Sequence, residues 1–574
     1  MKYKSIISVA LVVLAASCSD SFLDFSPKGI VNSQQLSGPT VAEGLVISAY
    51  AQLANTTWSA AYSTDWVWGS LRSDDSYKGG NGPADNQAMS NLETFNLLDP
   101  TTGTFVAAWP GIYAQLSRSN VALRTLNTIT DAEMPLRKVR IAEMRFLRGH
   151  FHFILKRLYK YVPYIDETIA LEDMLTLSNR KYTNDELWNK IAEDFQFAYD
   201  NLPTSQPQRG RANKYAAAAY LAKLRLYQAY EQDEANNVIN INKTRLQEVV
   251  TLTDFVINSG VYSLNPNFGK NFTYGYENGP ESIFAIQFSV NDGTTNGKIG
   301  TEYGLNYNME PKFGCCGFHV PSANMVNAFR TENGLPMFDT FDNVEMKTPA
   351  DFQNNTFDPR LDHTASLPTH PFKYDQNYVA QNSWVRAGAV YGFFSAMKET
   401  QLPTCSCLKK VGAFFGTSQN VDIIRFDDVM LMKAEALIEL DQQDLALPII
   451  NDIRTRAGNS ETRSWVTWTS GANAGKGFSN YDIKLYTSFP SKDYARKALQ
   501  WERRLEFAME SPRFHDLVRW GIASETLNAH FAKEKSRHGF LSSANFKDGR
   551  DEYLPIPQDQ INLSLGLYKQ NNGW

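Results

Sequence analysis

The chain has 574 residues, with 56 basic and 61 acidic side chains and a net charge of −5. So even a mixture argues against nucleic acid, which selects a basic face. Hydrophobic residues make up 43% and aromatics 13%, enough for a sizeable core with rings to spare for a surface. A length prior of roughly 150 residues per domain suggests about four domains. No Pro-rich, Gly/Ser-rich or charged linker supports that division, which predicts one composite unit over residues 18–574.

At the N-terminus, Lys2 and Lys4 precede an apolar run from Ile6 to Ala16 that ends at Leu14-Ala15-Ala16-Ser17-Cys18. The run is too short for a bilayer-spanning helix of about 20 residues and suits a signal-peptide core. Small residues ending in Cys resemble a bacterial lipobox, with Ala15 where Leu is more usual. Residues 1–17 are therefore expected to be cleaved off and Cys18 to be acylated. The following Ser19 to Asp24 resemble an acidic tag that sends lipoproteins to the outer leaflet. No later stretch reaches 18 consecutive apolar residues, so the acyl chain is the only expected membrane attachment.

Three-and-four apolar spacing predicts helices over Thr40–Leu53, Phe105–Leu126, Arg137–Leu158, Asp185–Leu202 and Asn213–Tyr230. The region from about Gly260 to Asn420 is instead rich in Gly, Pro, Asn and aromatics. It carries short alternating runs such as Ser282 to Phe288, which predict long loops with a few short strands. Helical spacing returns over Phe426–Leu440, Gln443–Ala457 and Ala495–Met509. The short Asp441-Gln442-Gln443 connection marks an antiparallel pair of tetratricopeptide-like pattern, with Gly458 as a helix stop. The expected fold is mostly α: a helix-pair scaffold over about 30–260 and 421–574, with a loop-rich insert over about 261–420.

Six stretches in order resemble the SusD/RagB family. They are CSDSFLDFSP from Cys18, AEMRFLR from Ala142 with Leu158-Tyr159 and Val162-Pro163, Gly210 to Lys214, PSANMVNAFRTENGLP from Pro321, Asp358 to Asp362, and the C-terminal third. That third reads IIRFDDVMLMKAEAL, ERRLEFAMESPRFHDLVRWG and YLPIPQDQINL, and closes on Trp574. The resemblance implies a tetratricopeptide-like scaffold carrying an irregular binding face. It also implies a non-catalytic surface lipoprotein that hands oligosaccharides to a TonB-dependent, SusC-like transporter of the outer membrane. Some relatives bind peptides, and a surface glycoside hydrolase is the rival outside the family. No cofactor and no metal are expected. Arg145, Arg148, Glu502, Arg503, Arg504 and Glu506 read as scaffold ion pairs, and Trp109 as a core anchor.

A glycan needs flat apolar platforms for its C–H faces and polar forks for its hydroxyls. Trp66 and Trp68, with Arg72, Asp74, Asp75 and Tyr77, offer both just before the Gly-rich loop Gly79 to Gly82, and the family has a comparable segment at its binding face. Trp66 and Trp68 share one side if the piece is extended. Cys315 and Cys316 are a second candidate. With Cys405 and Cys407 they allow three pairings, either a vicinal disulfide at a turn or cross-links between two loops. Some family members carry the vicinal pair at the sugar face. Tyr303, Tyr307, Trp384, Arg386 and Tyr391 complete the set. Catalytic signals are missing: there is no GxSxG, HExxH or P-loop, and His150 and His152 lie two apart on a helix, facing different directions.

Overall fold

The computed structural model describes residues 37–54, 64–170, 172–295 and 297–574. The expected signal peptide and the acylation site Cys18 lie outside the described residues.

Helix α1 (Pro39–Ala51) packs on α2 (Gly103–Asn127), and α2 on α3 (Arg137–Tyr159). The pile continues through α4 (Asn184–Asn201), α5 (Lys214–Ala229) and α6 (Lys243–Ile257). Helix α6 then meets α7 (Phe426–Glu439), which pairs with α8 (Gln443–Gly458) and receives α9 (Lys492–Phe507). All but α6 are the predicted helices, moved by a few residues at their ends. Helix α6 was not among those predicted, although Leu246, Val249, Leu252 and Val256 bury one helical face.

Four of these helices start at a side-chain cap. Thr183 and Glu186 form a reciprocal capping box at α4. Asn213, Asn242 and Ser491 cap α5, α6 and α9 by accepting a backbone N–H three residues on. One large apolar cluster runs through the pile and takes in Trp109, 3% exposed, with its ring 4.9 Å from that of Tyr159. Arg145 and Arg148 both grip the buried carboxylate of Asp194, each through Nε at 2.8 Å.

Two short strand pairings matter to the site. Strand β1 (Ser76–Gly79) runs antiparallel to β3 (Phe318–Pro321), tying a segment near the start of the chain to the middle insert. Strand β2 (Ser282–Ile286) runs antiparallel to β4 (Val421–Arg425), and Phe284 on β2 reaches the Phe146 ring of α3 at 4.9 Å. The insert is thus bonded to the rest of the chain near its start and at its middle. Beneath it lies a dense ion network. Arg360, fully buried, meets Asp358, Glu502 and Glu506 at 2.7 Å each, and Arg454 meets Glu502 at 3.1 Å. Among the described residues no helix is long and apolar enough to cross a membrane.

Candidate ligand-binding face

Residues 66–79 are built into the core and not onto the surface. Trp66 to Ser70 form a single wide helical turn, so Trp66 and Trp68 do not share one face of an extended strand. Both rings are 0% exposed, and the Trp66 indole N–H donates to the Glu302 carbonyl at 3.2 Å. Neither ring presents a face to solvent, which corrects the expectation of stacking platforms here. Arg72 lies over the Phe514 ring at 4.0 Å and donates to the Asp551 carbonyl at 2.7 Å. Burial pushes its guanidinium down to about 10.

Asp74 and Asp75 are equally occupied. Asp74 takes a two-pronged contact from Arg513, at 2.8 and 3.0 Å, and one from Arg504 at 3.1 Å. Burial alone would raise its carboxyl, but the two guanidinia hold it well below the usual range. Asp75 accepts from Arg504 at 3.0 Å, and there burial outweighs the pair and raises the carboxyl. Tyr77, 1% exposed, donates to Glu534 and accepts from the Ala323 N–H at 3.2 Å. The forks predicted for hydroxyls are filled by Arg504 and Arg513, more than 400 residues away in sequence. That is the physical reason for the correction.

What this buried segment does is aim the loop that follows it. Gly79 has φ +78, and β1 brings the chain so close to β3 that a side chain on Gly79 would press on the Gly317 carbonyl. The next N–H, of Gly80, donates to that same carbonyl at 2.8 Å. Lys78 Nζ donates to the carbonyls of Gly82 (2.8 Å) and Asp85, folding the loop back on itself. Asp85 accepts from the Asn81 N–H at 2.8 Å and pairs with Arg386 Nη1 at 3.3 Å. Both of these charged side chains stay about one-third exposed.

Cys315 and Cys316 are bonded to each other, as are Cys405 and Cys407. The vicinal pairing is therefore the one adopted, and the cross-link between two loops is not. Cys315 is half-buried beside the exposed Gly314 and Lys312, while Cys316 faces inward. The turn rests on the Tyr307 carbonyl, which accepts the N–H groups of Cys316 (3.0 Å) and Gly317 (2.8 Å). Tyr307 and Trp384 sit below, packed with Phe313, Phe372 and Met397 in a small apolar cluster. At 0% and 6% exposed they support the turn and present no platform, a second correction. Tyr303 is half-buried and lines a cavity of about 140 Å³ with Asp65, His150, Arg157 and Glu399. Tyr391 is 1% exposed and lies behind the face.

Of the predicted residues, Arg386 and Cys315 come to the solvent-facing side beside the Gly79–Gly82 loop, with Cys316 buried beneath. Asn81 and Asp85 join them and had not been singled out; the only sequence signal was their place in or beside a glycine-rich turn. The patch offers donors on Arg386 and acceptors on Asp85, with the exposed Asn81 beside them, a set suited to hydroxyls or amides. Glu281, Asp427 and Glu506 also converge, deep in the scaffold. Arg425 and Arg456 already lie among them, with Arg456 2.9 Å and Arg425 2.9 Å from Glu281, so the positive charge a cation would bring is in place.

Comparison with known proteins follows the same outline. The profile of the SusD family matches residues 280–574, and a SusD-like profile described as starch-binding associating with outer membrane matches residues 22–226. A SusD-like protein P2 of Formosa agariphila is 25% identical over 597 residues, covering 100% of both chains. A SusD-like protein of Bacteroides ovatus is 30% identical over 299 residues, 50% of each chain. Among solved structures, surface glycan-binding protein A from Bacteroides thetaiotaomicron in complex with laminarihexaose superposes with a TM-score of 0.66 at 20% identity, covering 93% of this chain and 100% of that one.

Proposed function

The chain belongs to the SusD/RagB family, and on that premise we propose that it is a surface glycan-binding lipoprotein. It captures oligosaccharides at the Arg386–Asp85 patch and passes them to a TonB-dependent, SusC-like outer-membrane transporter. The observation that carries the binding site is the convergence of the Gly79–Gly82 loop, the Cys315–Cys316 turn and Arg386 on one exposed patch of a rigid frame. Loops held on a stiff scaffold are where recognition concentrates. Binding without hydrolysis is supported by the fate of the flagged carboxylates. Asp74 and Asp75 are locked in guanidinium pairs, and neither is free to act as acid or nucleophile on a glycosidic bond.

Two charge-assisted hydrogen bonds at about 1.5–3 kcal/mol each would give binding on the order of −3 to −6 kcal/mol, in the tens-of-micromolar to millimolar range. Weak capture suits a protein that must release its cargo.

The test is calorimetry against a panel of neutral and acidic oligosaccharides, laminarihexaose among them, and of peptides. Arg386→Ala and Asp85→Ala each weaken glycan binding about tenfold on this reading. Binding confined to peptides, or glycan binding untouched by both variants, refutes it. Surface anchoring is read separately: Cys18→Ser abolishes labelling by radioactive palmitate and releases the protein from the membrane fraction.

A further inference from the structure

The 382–394 segment that carries Arg386 also lines a cavity of about 450 Å³. That is within the roughly 300–1,000 Å³ of small-molecule sites. Residues 345–349 and 388–394 form its walls, and Arg537 and His538 lie against it. The lip carries the Phe393 ring, 40% exposed, while Phe394 and Met346 are buried.

Tyr391 and His538 both line this cavity and are 1% and 8% exposed. His538 is held from behind. Its Nδ1 lies 2.8 Å from the Val390 carbonyl, and its ring is 5.0 Å from that of Tyr77. Because a carbonyl only accepts, Nδ1 carries a proton. The other nitrogen, Nε2, has no hydrogen-bond partner and stands 4.0 Å from Glu345 Oε1 and 3.6 Å from Glu534 Oε2. A buried polar atom left unsatisfied costs about 1–3 kcal/mol, so a group that supplies the bond is favoured there. Arg537 is not available for a ligand charge, because Asp342 (2.7 Å) and Glu534 (2.9 Å) already hold it.

We propose that this cavity receives one terminal or branching neutral sugar unit of the glycan held on the Arg386–Asp85 patch, an inference that rests on the glycan-binding reading. A hydroxyl both donates and accepts, so it satisfies Nε2 in either protonation state of the ring, and its vicinal neighbour reaches the Glu345 carboxylate. The exposed Phe393 ring takes the C–H face of the sugar. Glu345 already pairs with Lys347 at 2.7 Å and lies 3.8 Å from Arg537, so both cations of the lining are matched and an acidic sugar finds no unpaired positive charge there. Tyr391 and His538 are the buried part of the lining and Phe393 the exposed part, so a unit enters past Phe393 as an end or a side branch.

The experiment is saturation-transfer NMR and titration of the full mature protein with methyl glycosides of glucose, galactose, mannose and xylose, and with glucuronic and galacturonic acids. At least one neutral glycoside binds, and Phe393→Ala weakens it about two- to tenfold. Glu345→Gln serves as the second variant and lowers the discrimination against uronic acids. The inference is overturned if neutral glycosides bind equally to wild type and to both cavity variants, or if only uronic acids bind. It is likewise overturned, while the glycan-binding reading stands, if longer oligosaccharides bind in an Arg386-dependent way and no monosaccharide does. Absence of binding to any saccharide overturns both.

Discussion

Gly79 makes the sharpest test of how the buried segment positions the exposed patch. At φ +78 an L side chain costs about 1–2 kcal/mol, and that term alone applies to any such glycine. At Gly79 a Cβ would also land against the Gly317 carbonyl oxygen, with Val320 Cγ2 at 2.8 Å and Phe318 Cα at 2.9 Å. Two of those three atoms are backbone, fixed by the β1–β3 pairing and by the Gly80-to-Gly317 hydrogen bond, so rotamer changes cannot relieve them. Overpacking of this kind adds about 1–3 kcal/mol, and Gly79→Ala is expected to cost about 2–5 kcal/mol in all. Gly314→Ala is the control: φ is +72, but the nearest atom is the Pro311 oxygen at 3.9 Å, which leaves only the backbone term of about 1–2 kcal/mol. The assay is urea unfolding of both variants, comparing midpoints at constant slope, with glycan titration alongside. Equal losses for the two variants would refute the steric argument. Unchanged glycan affinity in Gly79→Ala would refute the link between this joint and the patch.

Three further outcomes are expected. Trp66→Ala costs about 3–5 kcal/mol in unfolding free energy, as for a fully buried indole, whereas an exposed platform residue would lose affinity at constant stability. Arg360→Met leaves Asp358, Glu502 and Glu506 facing one another without their cation and costs about 3–5 kcal/mol by denaturant unfolding; a neutral result would mean that the network is not held by this guanidinium. His363, buried between Tyr374 Oη (3.0 Å) and the Thr462 carbonyl (3.1 Å), is pushed down by burial to about 3. Its folded pKa is below the unfolded value of about 6.5, so the unfolded chain binds the extra proton between those values. Its contribution is complete above pH 6.5 and is lost as pH falls towards 3, about 2 kcal/mol by pH 5. Burial raises Glu552 and Asp422 to about 7, and these give the opposite slope, so the readout is a difference. His363→Gln flattens the stability-against-pH curve between pH 6.5 and 4 by up to one proton relative to wild type, and parallel curves would refute the assignment.

The scaffold was legible because its signals are local. Apolar spacing of 3.6 and caps such as Thr183 with Glu186 are written within one turn, and the helices fall within a few residues of where that spacing places them. Helix α6 carried the same kind of pattern in Leu246, Val249 and Val256 and was nonetheless passed over. The site was less legible. A Trp-rich stretch followed by Arg, Asp and Tyr reads identically whether it faces a sugar or a set of partner arginines. Arg504 and Arg513, supplied by helices near the C-terminus, turned Asp74 and Asp75 into scaffold ion pairs. The cysteines left three pairings open in one dimension, and the short loops that present them chose the vicinal one.

The linear order of residues by itself determined the helices, the loop-rich insert, the family outline and the lipobox-like start, because each depends on neighbours within a few residues. Only the tertiary structure decided which rings and charges reach solvent. Burial is a property of what packs on top, and here α9 and the segment after it cover Asp74 and Asp75 while Arg386 and Asp85 are left at the surface.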